Sequence, residues 1–303
     1  MQEDPLVKDI RKLKKERDAL ILAHNYQIPE VQDVADYVGD SLELARIGTK
    51  IECKVIVFCG VTFMAETAYI LSPEKTVIMP DLSAGCPLAD MVDIHEYRRL
   101  KEAHPDTISV CYVNSSAEVK AEVDVCCTSA NAVKVVQAVN GYRDVLFVPD
   151  RYLGEYIQRV TGKKLHLARG FCPTHHRIFK EDILKQKELH PEAEVIVHPE
   201  CTAEVIDIAD HVGSTSGILR RAGESAAKSF IIGTEEGLLH RLKEENPGKE
   251  FYPPSDTCVC PNMKKTTLEK LLWSMEEMEN TVVVDEDIRV KAKGSLDRML
   301  EYV

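Results

Sequence analysis

Apolar residues in this chain follow two rhythms that alternate three times. Short runs rich in apolar and β-branched residues, DALILA (18–23), TISVC (107–111) and AEVIV (193–197), predict buried strands. Each is preceded by a segment of helical spacing (5–18, 93–103 and 180–188). Each is followed by a polar block and a further helical stretch. A second β-like run then appears (CKVIVFCG, DVLFVPD and SFIIGTE), followed by a second helix (FMAETAYIL, YLGEYIQRV and GLLHRLKEE). A short extended piece closes each round: VIMPDLSAGCP, LHLARGFCP and FYPPSDTCVCP. Strands alternating with helices predict parallel βαβ units. The expected fold is therefore α/β: three homologous three-layer αβα domains with parallel sheets around a pseudo-threefold axis.

The polar blocks confirm that the rhythm is a repeat. His24–Ser41, Tyr112–Ser129 and His198–Thr215 align without gaps over 18 residues, at offsets of 88 and 86. Each carries Glu at one position (Glu30, Glu118, Glu204) and Asp six residues later (Asp36, Asp124, Asp210). These acids are expected within helical segments, stabilising helix ends. The predicted domains are 1–92, 93–179 and 180–265. An amphipathic helix, TTLEKLLWSMEEME, opens a segment 266–303 expected to pack back on the first.

Composition narrows the function. A net charge of -12 argues against nucleic acid as a general partner. No run reaches the ~20 apolar residues of a membrane span, and the charged start has no secretory pattern, so a cytoplasmic location is expected. Ten cysteines are many for such a chain. Those inside apolar runs, Cys59 and Cys111, read as small core residues.

Three cysteines stand apart. Each round ends in Cys-Pro: Cys86-Pro87, Cys172-Pro173 and Cys260-Pro261, again 86 and 88 residues apart. Ten Cys and 14 Pro in 303 residues predict about half of one such pair by chance, so three in register are a signal. Proline after a ligand restricts the backbone and removes a donor, and the dipeptide selects Cys260 over its neighbour Cys258. In α/β domains ligands gather beyond the carboxyl ends of the strands, so three such ends would bring the thiols to one point. Three thiolates can hold a [4Fe–4S] cluster with one iron open, a catalytic rather than an electron-transfer arrangement. A three-cysteine zinc site is the competing reading, although clustered C-x-x-C pairs are missing.

The repeat aligns further candidates. His24-Asn25-Tyr26, Tyr112-Val113-Asn114 and His198-Pro199-Glu200 follow the first strands. Ser41, Ser129 and Thr215 stand at N-cap-like positions, where hydroxyls and free N–H groups favour anions. Tyr26 and Glu200 are the acid/base candidates, with His198 as proton carrier or carboxylate binder.

With those residues in view, the motifs HNYQIPEVQDVADYVGDSLELA, YVNSSAEVKA, CTSANAV, ADHVGSTSG, GTEEGLLHRL and CPNMKKTTLE resemble the quinolinate synthase family of bacterial and archaeal NAD biosynthesis over essentially the whole chain. The resemblance implies a three-domain enzyme with a [4Fe–4S] cluster on Cys86, Cys172 and Cys260. It implies pocket residues at His24, Tyr26, Ser41, Tyr112 to Asn114, Ser129, His198 to Glu200 and Thr215. It also implies condensation of iminoaspartate with dihydroxyacetone phosphate to quinolinate, and a possible transient contact with the enzyme that supplies iminoaspartate. Some branches carry C-x-x-C-x-x-C before the last ligand, whereas this chain has Cys258-x-Cys260. An aconitase-like hydro-lyase and an iron–sulfur redox sensor are the alternatives from other classes; the latter would be expected to carry a basic or partner-binding module.

Overall fold

The structure, a computed structural model, describes residues 4–139 and 144–302. The first unit runs α1 (Pro5–Glu16), β1 (Ala19–His24), α2 (Pro29–Val34), β2 (Tyr37–Gly39), α3 (Ser41–Lys50), β3 (Val55–Cys59), α4 (Thr62–Leu71), β4 (Thr76–Ile78) and α5 (Pro87–Asp90). The second runs α6 (Ile94–Ala103), β5 (Ile108–Tyr112), α7 (Ala117–Glu122), β6 (Val125–Cys127), α8 (Ala132–Val139), β7 (Val145–Val148), α9 (Arg151–Thr161), β8 (Leu165–Leu167) and α10 (Pro173–His176). The third runs α11 (Lys180–Leu189), β9 (Glu194–Val197), α12 (Ala203–Ile206), β10 (His211–Val212), α13 (Thr215–Glu224), β11 (Ser229–Gly233), α14 (Leu238–Glu245) and β12 (Glu250–Tyr252). A 3-10 turn (Met263–Lys265), α15 (Leu268–Glu277) and α16 (Glu286–Leu300) complete the chain.

Each unit is a parallel sheet of four strands flanked by helices. The orders are β2-β1-β3-β4, β6-β5-β7-β8 and β10-β9-β11-β12, the same topology three times. β3 and β7 are buried along their whole length, which is why both read as continuous apolar runs instead of alternating ones. The sequence pattern predicts three strands per unit. The fourth, at one edge (β2, β6, β10), is two or three residues set inside a polar block with no extended apolar run to mark it.

The repeated aspartates do something other than stabilise helix ends. Asp36, Asp124 and Asp210 stand just before the edge strands. Their carboxylates accept from the backbone N–H of Ile21 (2.9 Å), Ser109 (2.8 Å) and Val195 (2.8 Å) in the neighbouring strand. The edge strand has not yet begun at that level, so the side chain supplies the missing ladder acceptor. Glu30, Glu118 and Glu204 do lie in the first turns of α2, α7 and α12.

The segment 266–303 divides in two. α15 buries Leu271, Leu272 and Met275 with Ile10 of α1 in an apolar cluster on the first sheet. α16 crosses to the second unit and lies along α7 and β6, with a smaller contact to α4. Ser295 holds it there, donating to Lys120 O at 2.7 Å, while Asn131 Nδ2 donates to Met299 O at 3.1 Å. The units meet through polar contacts as well. Gln32 Nε2 donates to Gly237 O at 2.9 Å, and a side chain on Gly237 would stand 2.8 Å from the Tyr26 carbonyl carbon, so only glycine permits this approach.

Candidate active site

The strand ends of all three units open on one cavity of about 350 Å³. His24, Tyr26 and Ser41 line it from the first unit, Tyr112, Asn114 and Ser129 from the second, and His198, Glu200 and Thr215 from the third. Cys86, Cys172 and Cys260 line the same cavity. Val113 and Pro199 are buried and outside the lining. Val113 N–H instead donates to Cys127 O at 2.9 Å, tying β5 to the edge strand.

The three thiols occupy equivalent turns. Cys86 and Cys172 immediately precede α5 and α10, each of which begins with proline. The sulfurs lie against backbone N–H groups two or three residues on: Ala89 and Leu88, His175, and Met263 and Asn262. Burial pushes the Cys86 thiol up to about 12, with Glu200 and Cys260 adding to the shift. It raises Cys172 and Cys260 as well. Neutral thiols this hard to ionise in water-poor surroundings become thiolates only beside a cation. Three of them converging on one cavity, each with N–H groups aimed at sulfur, form a donor set that fits a metal centre. A second grouping overlaps it: ligand atoms of Cys172, His175 and Glu200 lie within 4.8 Å of one another.

The two histidines share a geometry. His24 Nδ1 accepts from Tyr26 N–H at 3.1 Å, and His198 Nδ1 accepts from Glu200 N–H at 3.2 Å. An Nδ1 that accepts cannot carry a proton, so the neutral ring holds its proton on Nε2. Burial lowers both pKa values to about 3, against an opposing pull from Glu200. Both rings are therefore neutral Nε2–H groups; His198 Nε2 lies 3.2 Å from Ser129 Oγ.

A chain of polar groups runs behind this wall. Tyr26 OH lies 2.7 Å from Thr234 Oγ1, which lies 2.8 Å from His175 Nε2. His175 Nδ1 lies 2.7 Å from Glu200 Oε2 and 3.2 Å from Cys172 Sγ. The Tyr112 hydroxyl also acts on the Glu200 carboxylate, favouring its ionised form. Burial acts to raise the pKa of Glu200, but His175, His198 and Tyr112 outweigh it and hold this carboxyl below the ordinary range. Burial and then Glu200 push the Tyr26 phenol well above its ordinary value. Glu200 Oε1 is buried with no hydrogen-bond partner, an unsatisfied acceptor on a residue lining the cavity.

The helix starts refine the hydroxyl positions. Asp40 and Ser214 are the caps of α3 and α13, Asp40 in a capping box with Glu43. Ser41 and Thr215 are the first helical residues, so their hydroxyls are not needed as caps. Thr215 Oγ1 instead accepts from Asn25 Nδ2 at 3.1 Å. Ser129 stands before α8 in a turn closed by Thr128 and Asn131, whose Oδ1 accepts from Thr128 N–H at 2.8 Å.

Sequence reasoning misses His175, Thr234 and Arg177. His175 stands three residues after a selected cysteine, and Thr234 at the end of β11. The repeat alignment raises neither, because His175 aligns with Ala89 and Met263, and Thr234 with Gly60 and Pro149. At the position of Arg177 the other two turns carry Met91 and Lys265, so a basic residue recurs in only one of them.

The family model of the quinolinate synthetase A protein matches residues 8–301. Quinolinate synthase of Thermodesulfovibrio yellowstonii is 55% identical over 298 residues, covering 98% of both chains. Quinolinate synthase of Dehalococcoides mccartyi is 56% identical over 294 residues, 97% of each, and that of Methanosarcina barkeri 53% over 300 residues, 99% of this chain and 98% of the relative.

Proposed function

Because this chain belongs to the quinolinate synthetase A protein family, we propose that it condenses iminoaspartate with dihydroxyacetone phosphate, releasing quinolinate, phosphate and two waters. Cys86, Cys172 and Cys260 would hold a [4Fe–4S] cluster. The observation that carries this reading is the convergence of three equivalent Cys-Pro thiols on one cavity with two neutral histidines and an unsatisfied carboxylate oxygen. When bound, such a cluster supplies a Lewis acid that eases departure of a substrate hydroxyl.

The chain's own groups account for the remaining chemistry. The Nε2–H groups of His24 and His198, with the hydroxyls of Ser41, Ser129 and Thr215, donate to the carboxylate and phosphate oxygens of the substrates. The N-termini of α3 and α13 add positive potential beneath two of those hydroxyls. Glu200, ionised and with Oε1 free, takes a proton from carbon. Tyr26, whose phenol stays protonated, donates one to a departing oxygen. Thr234 and His175 link Tyr26 to Glu200, so a proton taken at one end can be returned at the other without entering solvent. Closely packed walls exclude water while the imine forms.

Anaerobic turnover with both substrates, read by product mass, tests the proposal. Quinolinate from protein replete in iron and sulfide is expected, and its absence from such protein would refute the reading. A mononuclear ion on Cys172, His175 and Glu200 is the second reading, favoured by their mutual 4.8 Å spacing; zinc without sulfide on analysis would select it. The chain would work in the cytoplasm, where thiols stay reduced, and would receive the unstable iminoaspartate through transient contact with the enzyme that makes it. No helix among the described residues is long and apolar enough to cross a membrane.

A further inference from the structure

The turn that carries each Cys-Pro is fastened to the chain three residues past β3, β7 or β11 of its own sheet. Thr62 N–H donates to Ala84 O, Arg151 N–H to Gly170 O, and Glu236 N–H to Cys258 O, each at 2.8 Å. In every case the acceptor stands two residues before the cysteine.

Strand register then defines a second equivalence. Val57, Leu146 and Ile231 pair with Ile21, Ser109 and Val195, the three residues whose N–H groups meet the repeated aspartates. Counting forward, Val61, Asp150 and Glu235 occupy one position. Asp150 Oδ2 accepts from Cys172 N–H at 2.9 Å, and Glu235 Oε1 accepts from Cys260 N–H at 3.0 Å. The first unit has an apolar side chain there, so its cysteine turn has no such tie.

Both carboxylates are fully enclosed, at 1% and 0% exposure. Burying them is costly unless their oxygens are satisfied, and the remaining oxygens are. Asp150 Oδ1 caps α9 through Leu153 N–H at 2.9 Å. Glu235 Oε2 accepts from Gly237 N–H at 2.8 Å, and Lys264 Nζ lies 2.9 Å from Oε1. Each carboxylate therefore spans a rigid helix start on one side and a cysteine turn on the other.

We propose that Asp150 and Glu235 are positioning residues for the metal centre, holding the Cys172 and Cys260 turns ready through the backbone N–H of the ligand itself. The Cys86 turn, opposite Val61, is the compliant third. The inference rests on the reading of these three cysteines as ligands. It assigns to two of them a fixed geometry before metal arrives, the role that outer hydrogen-bond partners play around metal ligands.

Iron release from the anaerobically loaded protein to a coloured chelator tests this, alongside iron and acid-labile sulfide per chain. The comparison uses wild type, Asp150→Ser, Asp150→Asn, Glu235→Ala and Glu235→Gln. Serine keeps a hydroxyl to cap α9 but has no second oxygen for Cys172. The serine and alanine variants are expected to release iron about 10- to 100-fold faster. An amide keeps one acceptor oxygen and sets an NH2 in place of the other, so the amide variants should release iron faster than wild type and more slowly than the truncations. Truncations that hold iron as long as wild type, or that release it no faster than the amides, would overturn the proposal. Where one truncated chain does not melt cooperatively without metal, the other position decides. A wild type that takes up neither iron nor sulfide overturns the ligand reading itself, a different result from loaded variants that match it.

Discussion

Two neutral histidines facing the cavity have a cost that pH exposes. Burial lowers His24 and His198 to about 3, whereas an unfolded histidine titrates near 6.5. Below that value the unfolded chain binds more protons than the folded one. The stability these residues contribute is complete above about 6.5 and drains as pH falls toward 3, by about 1.4 kcal/mol per pH unit for each ring. The urea midpoint should fall from pH 7 to pH 5, and His24→Gln or His198→Gln should each flatten that slope; equal slopes in all three chains would contradict it. Thr234 is the other residue whose role is narrow enough to test. Thr234→Val keeps the shape but removes the hydroxyl between Tyr26 and His175, so kcat should fall about 100-fold with KM and iron content unchanged. At the third thiol, Cys258 is fully buried in the core of its unit with Ile178 and Val195 and is absent from the cavity wall. Cys258→Ser should therefore retain the cluster that Cys260→Ser loses. The choice between these two was legible because Cys-Pro recurs at a fixed offset. His175 was not, because no histidine aligns with it in the other turns; its role comes from folding the Cys172 turn against Glu200 of another unit.

At the scale of elements, the repeat dictates more than the chain's apolar pattern reveals. The alternation of strand and helix was readable because each central strand is a run of buried residues. The edge strands β2, β6 and β10 were not, since each is two or three residues set inside a polar block with no extended apolar run to mark it. They form because each follows an aspartate that completes the ladder of its neighbour. In the second unit that aspartate does the most: Asp124 accepts from both the N–H and the hydroxyl of Ser109, itself wholly buried, and Asp124 N–H returns a bond to Ser109 Oγ. Asp124→Ala should then cost about 1–3 kcal/mol by denaturant midpoint. Asp210→Ala, at an exposed position with one such bond, should fall at or below the lower end of that range. Similar losses at both sites would mean that the helix-to-strand junction, and not the ladder, sets the effect. The path of α16 shows the opposite limit. Its buried residues Ala292, Ser295, Leu296 and Met299 mark one face, but a face does not say which unit it covers. The partner follows from Lys120 O and Asn131, polar atoms of the second unit that need a bond α16 supplies.

For the whole molecule, charge is the quantity that local elements do not explain. The chain carries -12, yet its proposed substrates bring two carboxylates and a phosphate. The neutral histidines and hydroxyls of the cavity attract such groups only at hydrogen-bonding distance. Among the described lining residues one Lys or Arg is present, Arg177, and it is exposed at the cavity while the other polar lining residues are buried or half-buried. An exposed guanidinium at a low-dielectric cleft focuses potential outward and speeds encounter with anions, against a globally repulsive field. Its contribution should appear in approach and not in chemistry. Arg177→Gln is expected to lower kcat/KM about tenfold at low ionic strength and leave kcat in place. Raising salt screens the steering in wild type but has little left to screen in the variant, so the two curves should converge as the Debye length shrinks toward about 3 Å at 1 M. Parallel curves at every salt concentration would instead place Arg177 in direct contact with bound substrate, and a fall in kcat would move it into the proton-transfer machinery.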